Sequence, residues 1–454
     1  MAHFKPLTLM AILVAGPMAM GQDAAEGNRQ MQALFDKIAA VIQGGTTSTN
    51  SVVNKNSIVN LSIPGIVLKK ALDPKNPADE EYVNRLADMA MSPSTEMGQK
   101  PVSVASVYRT ILDMKVSPTK GLSPAEEARL QKALADTQGP TIEKYYHLSE
   151  QADEANTAVE LARLNLESTP RDSKDYLAAL AAYRSAESKA KKPRSEWENS
   201  DIKYKVTNAF NAIIELSAKD GGFWWSDLRN KLNEWKGPNS TMAVQTFPQM
   251  GQWLNDGWLK FTYTASGTVG SASKSTQNGP GALRIHKGTF DLKGAGKWEK
   301  KASEEMWKDS SLRIEFEMKK VYFNRPWLDH QVFKNENWWW NPGAKGTVIS
   351  NGQEIGMRPG PAGLLPVIPN GIVIIRNLKF SAETLASYRK EISEMANGSM
   401  TIGCFHVGGG YEKSDASHTR DGQKTTTSLG QAAPQIIAYF GSIVPRSPKN
   451  PNRE

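Results

Sequence analysis

Apolar residues recur at alternating intervals of three and four at Tyr145, Leu148, Ala152, Ala155, Val159, Ala162 and Leu166. No other feature limits the fold of this chain as tightly. A seam repeating every 3.5 residues lies along one side of an α-helix and must be buried against another helix. The rhythm resumes after Thr169-Pro170 at Tyr176, Ala179, Tyr183, Ala186 and Ala190. It returns after Pro193 at Ile202, Val206, Ala209, Ile213 and Leu216. The proline-marked breaks predict helices that fold back on one another, a coiled-coil-like hairpin or three-helix bundle over 141–217. Its first helix, 141–168, would reach about 40 Å at about 1.5 Å per residue.

Residues 24–43 also have helical spacing, stopped by Gly44-Gly45. A Thr/Ser/Asn-rich link follows, then an apolar segment from Ile58 to Leu68 broken by Pro64-Gly65. Short helices are predicted over 79–91 and 103–115. Another starts at Ser123, with Pro124 in its first turn and Glu126 completing a capping box. Past the Trp-rich stretch that opens at Gly221, the period drops to two. In SLRIEFEMK (311–319), Leu312, Ile314, Phe316 and Met318 share one face, and Arg313, Glu315, Glu317 and Lys319 the other. That is a half-buried strand, and its solvated face accounts for the two glutamates without an acid/base pair. Further strands are predicted at 258–269, 282–292, 346–350, 372–380, 400–407 and 435–441, with a helix over 381–395. The expected fold class is α+β: a helical domain (22–236, hairpin or bundle included), then a mainly antiparallel β-sandwich-like domain (237–454).

The first 21 residues read as a cleavable secretory signal. Lys5 precedes the apolar run Leu7–Ala15, Gly16-Pro17 ends it, and Ala19 and Gly21 supply the small residues before a cut near Gln22. The run is too short to span a bilayer. Secretion or periplasmic export is therefore expected. The chain carries a net charge of +8, and cleavage near Gln22 would remove Lys5 and no acidic residue, leaving +8 − 1 = +7. Its basic residues are interspersed with acidic ones, which argues against a nucleic-acid partner and for a mildly basic surface.

Cys404 is the only cysteine, so neither an intramolecular disulfide nor a cysteine-built metal site is possible. Cys404 and His406 would share a strand face without an orienting third group, and Cys404 reads as a buried apolar residue. None of the six histidines lies in a zinc-binding pattern; no cofactor or metal is expected. Gly408-Gly409-Gly410 lacks the Lys and Ser/Thr of a phosphate loop and reads as a turn. Chemistry-bearing side chains are densest in 325–343. Asp329 and His330 are the one candidate acid/base pair, although adjacency in an extended segment turns them to opposite faces. Arg325, Trp327, Trp338, Trp339 and Trp340 are the candidate binding residues, because indoles combine a broad apolar face with one polar donor. Residues 258–276 carry alternating Ser/Thr and apolar positions, a pattern shared with pore-forming stems, but Arg284, His286, Lys287 and Asp291 would load both faces of the following strand with charge and favour an ordinary hairpin.

Three stretches, Asn324-Arg325-Pro326-Trp327, LPVIPNGIVIIRNLKF (365–380) and APQIIAYFGSIVPRSPKNP (433–451), resemble an uncharacterised family of bacterial and fungal proteins. The resemblance covers about residues 310–451 and implies a shared domain with Arg325 and Trp327 in its framework. It brings no activity. The expectation is thus a secreted, non-enzymatic interaction or self-assembly protein with an aromatic, mildly basic binding surface, self-associating through its helices or meeting a membrane, glycan or protein partner. The alternatives are a membrane-active or pore-forming, toxin-like protein and a hydrolase using Asp329 and His330.

Overall fold

The computed structural model describes residues 57–68, 71–90, 102–114, 122–169, 171–217, 223–265, 301, 305–335, 338, 348–353, 362–388, 399–402, 404–408, 416–421, 424–431 and 433–448, with most of 30–42. The signal-like segment 1–21, the expected strand over 282–292, and Trp339 and Trp340 lie outside them. No helix among the described residues is long and apolar enough to cross a membrane.

The molecule mixes helices with an antiparallel sheet. Helical residues between 30 and 42 (α1) precede β1 (Ser57–Val67). Among the described residues up to position 234 follow α2 (Pro77–Asp88), α3 (Val104–Leu112), α4 (Pro124–Asp136), α5 (Gly139–Ser168), α6 (Tyr176–Glu198), α7 (Asp201–Ser217) and α8 (Phe223–Glu234). The strands are β2 (Gln245–Phe247), β3 (Leu259–Thr264), β4 (Arg313–Asn324), β5 (Val367–Ala382), β6 (Ser399–Ile402), β7 (Phe405–Gly408), β8 (Ala416–Asp421), β9 (Lys424–Gln431) and β10 (Gln435–Ile443).

Local signals placed several helix ends. Ser123 accepts from Glu126 N while the Glu126 carboxylate accepts from Ser123 N (3.0 Å), the reciprocal capping box. Pro193 does not end its helix as expected: α6 runs through it to Glu198, and the break falls at Asn199-Ser200. The turn beyond the proline is held from outside. Trp197 is buried edge-on against Tyr145 of α5 (5.0 Å), and Arg194 Nε donates to Asn156 (2.6 Å). The Trp-rich stretch forms α8, whose Trp224 and Trp225 are buried edge to face at 5.4 Å.

β4 and β5 pair along most of their lengths and form the centre of an eight-stranded sheet. On the far side of β5, β10 pairs with its first half and β9 with its second, so the two strands run nearly end to end. β1 and β8 flank β10 and β9, while β2 and β3 flank opposite ends of β4. The pairing of β1 with β10 puts a strand from the first half of the chain into the sheet built mainly from the second. The segment read as merely apolar is a strand; Pro64-Gly65 sits where its register shifts, between Leu61 and Ile66. A proline lacks the donor a regular ladder needs, and Gly65 lets β1 approach Cys404, donating its N–H to Cys404 O at 3.0 Å. A Cβ at Gly65 would lie 2.6 Å from that oxygen.

Each core mixes the two halves of the chain. On one sheet face Phe261, Phe316, Val373 and Phe380 pack with Leu34, Phe35 and Ile38 of α1 and Leu161 of α5. The β6–β7 hairpin lies on this face, its Phe405 5.8 Å from Phe316 and 5.6 Å from Phe380. The opposite face buries Val321, Ile372, Ile374 and Tyr439 with Val83 and Leu86 of α2. A third cluster joins α3, α4, α7 and α8 to Trp327, Trp338, Ile368 and Val444. Other expectations also change. Residues 400–407 are a hairpin of two strands, β5 continues to Ala382, and the helix expected from 381 begins as a short 3₁₀ turn at Thr384–Tyr388. Residues 348–350 are irregular, although Val348 O and Ile349 O accept from Leu364 and Leu365.

Gln435 joins the hairpin to the sheet where β9 gives way to β10. Fully buried, it accepts from His406 N (2.7 Å) and donates to His406 O (3.0 Å), so an amide side chain stands in for a strand backbone. Gln435→Leu strands both His406 groups and is expected to cost about 2–4 kcal/mol. Urea unfolding should show a lowered midpoint at unchanged m-value.

Candidate functional site

The structure makes Arg325, Trp327 and Trp338 part of the core. Arg325 is buried, with its Nη2 donating to Ala87 O (2.5 Å) in the last turn of α2 and to Pro369 O (2.6 Å) of β5. Such a cation satisfies helix C-terminal carbonyls that have no partner within the helix. Burial lowers its pKa to about 10, against the opposing charge of Asp88. Trp327 and Trp338 are enclosed, and their indoles donate to Ala243 O (2.9 Å) and Val332 O (2.7 Å). They fill the helical cluster and offer no aromatic surface.

Asp329 and His330 diverge. The Asp329 carboxylate caps a 3₁₀ turn, His330–Lys334, by accepting from Gln331 N (2.9 Å). Burial raises its pKa, opposed by that bond and by Lys231 and Trp224. His330 is exposed as a residue. Cys404 is fully buried, which pushes its thiol pKa far up, so the thiolate a nucleophile requires is suppressed. No group of three His, Cys, Asp or Glu residues among those described could hold a metal.

Among the described residues, one half of one sheet face is left open. Register places Lys260 opposite Glu317, Thr262 opposite Glu315 and Thr264 opposite Arg313. On the other side of β4, Arg313 faces Ser381, Glu315 faces Lys379 and Glu317 faces Arg376. Directly opposed residues point to the same face, so Lys260, Arg313, Arg376 and Lys379 converge with Glu315 and Glu317. Four cations against two carboxylates leave this patch at +4 − 2 = +2. The Lys260 and Arg313 side chains are 72% and 50% exposed. α2 and the 250–258 segment cover the other half of this face, where the neighbours are Val321 and Ile374.

The patch is ordered by its own ion pairs. Arg313 Nη2 lies 2.8 Å from Glu315, and Arg376 Nε 2.6 Å from Glu317, which also accepts from Asn377 (3.0 Å). Partial burial pushes the Glu315 pKa up, but Arg313, then Lys260 and Lys379, outweigh it and hold the carboxyl below its ordinary value. At the rim, Trp258 has the Arg376 guanidinium 4.3 Å and the Lys319 ammonium 5.0 Å from its ring centre, both in cation–π range. Lys319 also donates to Asn255 O (2.8 Å) and Asp256 O (2.7 Å), pinning the 250–258 segment to β4. Sequence alternation exposes the Arg313/Glu315/Glu317/Lys319 face of β4. It contains nothing to align Lys260, Arg376, Lys379 or Trp258 with them, because register is a long-range property.

Comparison with protein-family models, with curated proteins and with solved structures finds no match to this chain.

Arg325→Met removes two buried hydrogen bonds to carbonyls and is expected to lower stability by roughly 2–5 kcal/mol. His330→Ala should change it by less than about 0.5 kcal/mol. Thermal and denaturant unfolding of the two variants separate a framework residue from an exposed one.

Proposed function

We propose that this chain is an exported, non-enzymatic interaction protein that holds an anionic partner on the open half of its sheet. The observation that carries this reading is the cross-strand gathering of Lys260, Arg313, Arg376 and Lys379 on a solvent-facing, pre-ordered surface. A flat, rigid lattice of charges suits an extended anionic surface better than a small molecule, which needs a concave site. The basic balance of the chain and the secretory character of residues 1–21 fit a partner met outside the cytoplasm. The aromatic element in this reading is Trp258, at the rim, since Trp327 and Trp338 belong to the core.

Self-association belongs to the same proposal. α5 and α6 act in it as a helical hairpin, and Leu177 at the start of α6 and Tyr204 at the start of α7 stand 74% and 60% exposed, as residues awaiting a partner would. The family resemblance is likewise proposed for the sheet centre. Its three stretches comprise the residues following β4, β5 itself, and β10, so they are spatial neighbours.

The test is binding to phosphatidylserine vesicles and to dextran sulfate. A Lys260→Ser/Arg313→Ser/Lys379→Ser variant loses about 1 kcal/mol per cation near an anionic surface, roughly a hundredfold in all. Wild-type binding should fall with salt. Equal retention of variant and wild type, or no binding by either, defeats the reading; a strict monomer in light scattering defeats self-association.

A further inference from the structure

We propose that the contact between α5 and β4 is a proton-operated latch, closed while Glu150 carries its proton and loosened when that carboxyl ionises. The geometry is that of an unbalanced interface. Glu150, Asp153 and Glu154 lie at i, i+3 and i+4, one face of one helix. Beneath them run Lys320 and Tyr322, successive residues on the same face of β4. Lys320 is 4% exposed, and its ammonium donates to Asp153 (2.8 Å) and to Thr157 Oγ1 (2.8 Å). The Tyr322 hydroxyl donates to the same oxygen of Asp153. One carboxylate therefore takes both the ammonium and the phenol.

The other charged groups around Glu150 do not redress the balance. On α5 itself stand Asp153 and Glu154, both raising its pKa, the half-buried Tyr146, and the exposed His147, which acts on Glu154. From the 3₁₀ segment, Asp329 adds negative potential at Tyr146. From β4, Lys319 projects to the opposite sheet face, where carbonyls of 252–256 receive its protons. From α6, Arg194 goes to Asn156 and Glu187, and Lys189 lines the cavity between α5 and α6. With all three carboxylates ionised, Glu150, Asp153 and the more exposed Glu154 stand against the buried Lys320, with Lys319 and His147 acting on Glu154 alone. Desolvation, then Glu154 and Asp153, raise the Glu150 pKa to about 8, so it is mostly neutral at pH 7.

The neighbouring packing can yield. α5 and α6 meet through Ala155, Ala158, Ala182, Ala186 and Ala190 around an open cavity of about 340 Å³. A cavity of that size leaves these alanines fewer partners to resist a local opening, although Tyr145 and Asn156 still hold α6 through Trp197 and Arg194. The C-terminal half of α5 is tied down separately by Leu161 in the apolar core. A carboxyl whose pKa is raised on folding binds protons as the protein folds. Its contribution is therefore full below about pH 4.5, declines as pH rises toward about 8, and is absent above that.

The experiment is hydrogen exchange by mass spectrometry on the full chain at pH 6 and pH 9, corrected for intrinsic exchange rates. Peptides covering 145–158 of the wild type should lose protection by about tenfold or more at pH 9, while those covering β5 do not. Glu150→Gln, the uncharged isostere, should keep its pH 6 protection at pH 9. Glu143→Gln, an exposed position on the same helix, should behave as wild type. Unchanged wild-type protection between the two pH values overturns the latch. So does loss in Glu150→Gln equal to that of wild type, or rescue by Glu143→Gln.

Discussion

The antiparallel pairing of Ser57–Val67 with Gln435–Ile443 ties the first strand of the chain to the last. Without it β10 would become the edge of the sheet, a row of backbone donors and acceptors open to other chains. With it, the segment carrying α1 is delivered to one face and the segment carrying α2 to the other. Both helices cover apolar rows of β4, β5 and β10. The β6–β7 hairpin is placed by the same contact, since Gly65 and Gln435 each bind its backbone.

β4 distributes the chemistry. Its residues Ile314, Phe316 and Met318 enter the core, and the same face continues into Lys320 and Tyr322 under α5. Its other face begins with Arg313, Glu315 and Glu317 in solvent and ends with Val321 and Phe323 beneath α2. Each face thus changes character partway along one twelve-residue strand. The charged part of one face is exposed and can meet a partner. The charged part of the other is covered, and its balance depends on protonation. In both places a lysine or arginine is fixed by a neighbour before any ligand arrives, which limits the entropy lost on binding.

The legible features of this fold are the short-range ones. Ser123, Pro124 and Glu126 announce α4, and the alternation over 311–319 announces β4, because cap and pleat are set by residues a few positions apart. Tyr145, Trp197 and the alanines between them mark the helices that pack together. Pro193 misleads because the turn it weakens is held by Trp197 and Arg194, contacts made across to α5. The segment 58–68 misleads for the opposite reason: Pro64-Gly65 looks like a break until a partner strand supplies the register shift. Trp327 and Trp338 illustrate a further limit. A buried indole bonded to a carbonyl and an exposed one awaiting a ligand are written with the same letter, and only the surroundings supplied by α3, α7 and α8 decide between them.

The central claim is that strands from both ends of the chain make one cooperative structure. Near-ultraviolet circular dichroism of the isolated segment 237–454, set beside that of the full chain, tests it directly. Lacking β1, α1, α2 and α5, the segment should give a featureless aromatic spectrum and a non-cooperative urea profile. A segment that keeps the aromatic bands of its own tryptophans and unfolds in one sharp transition would contradict the account, because the sheet would then need nothing from the first half of the chain.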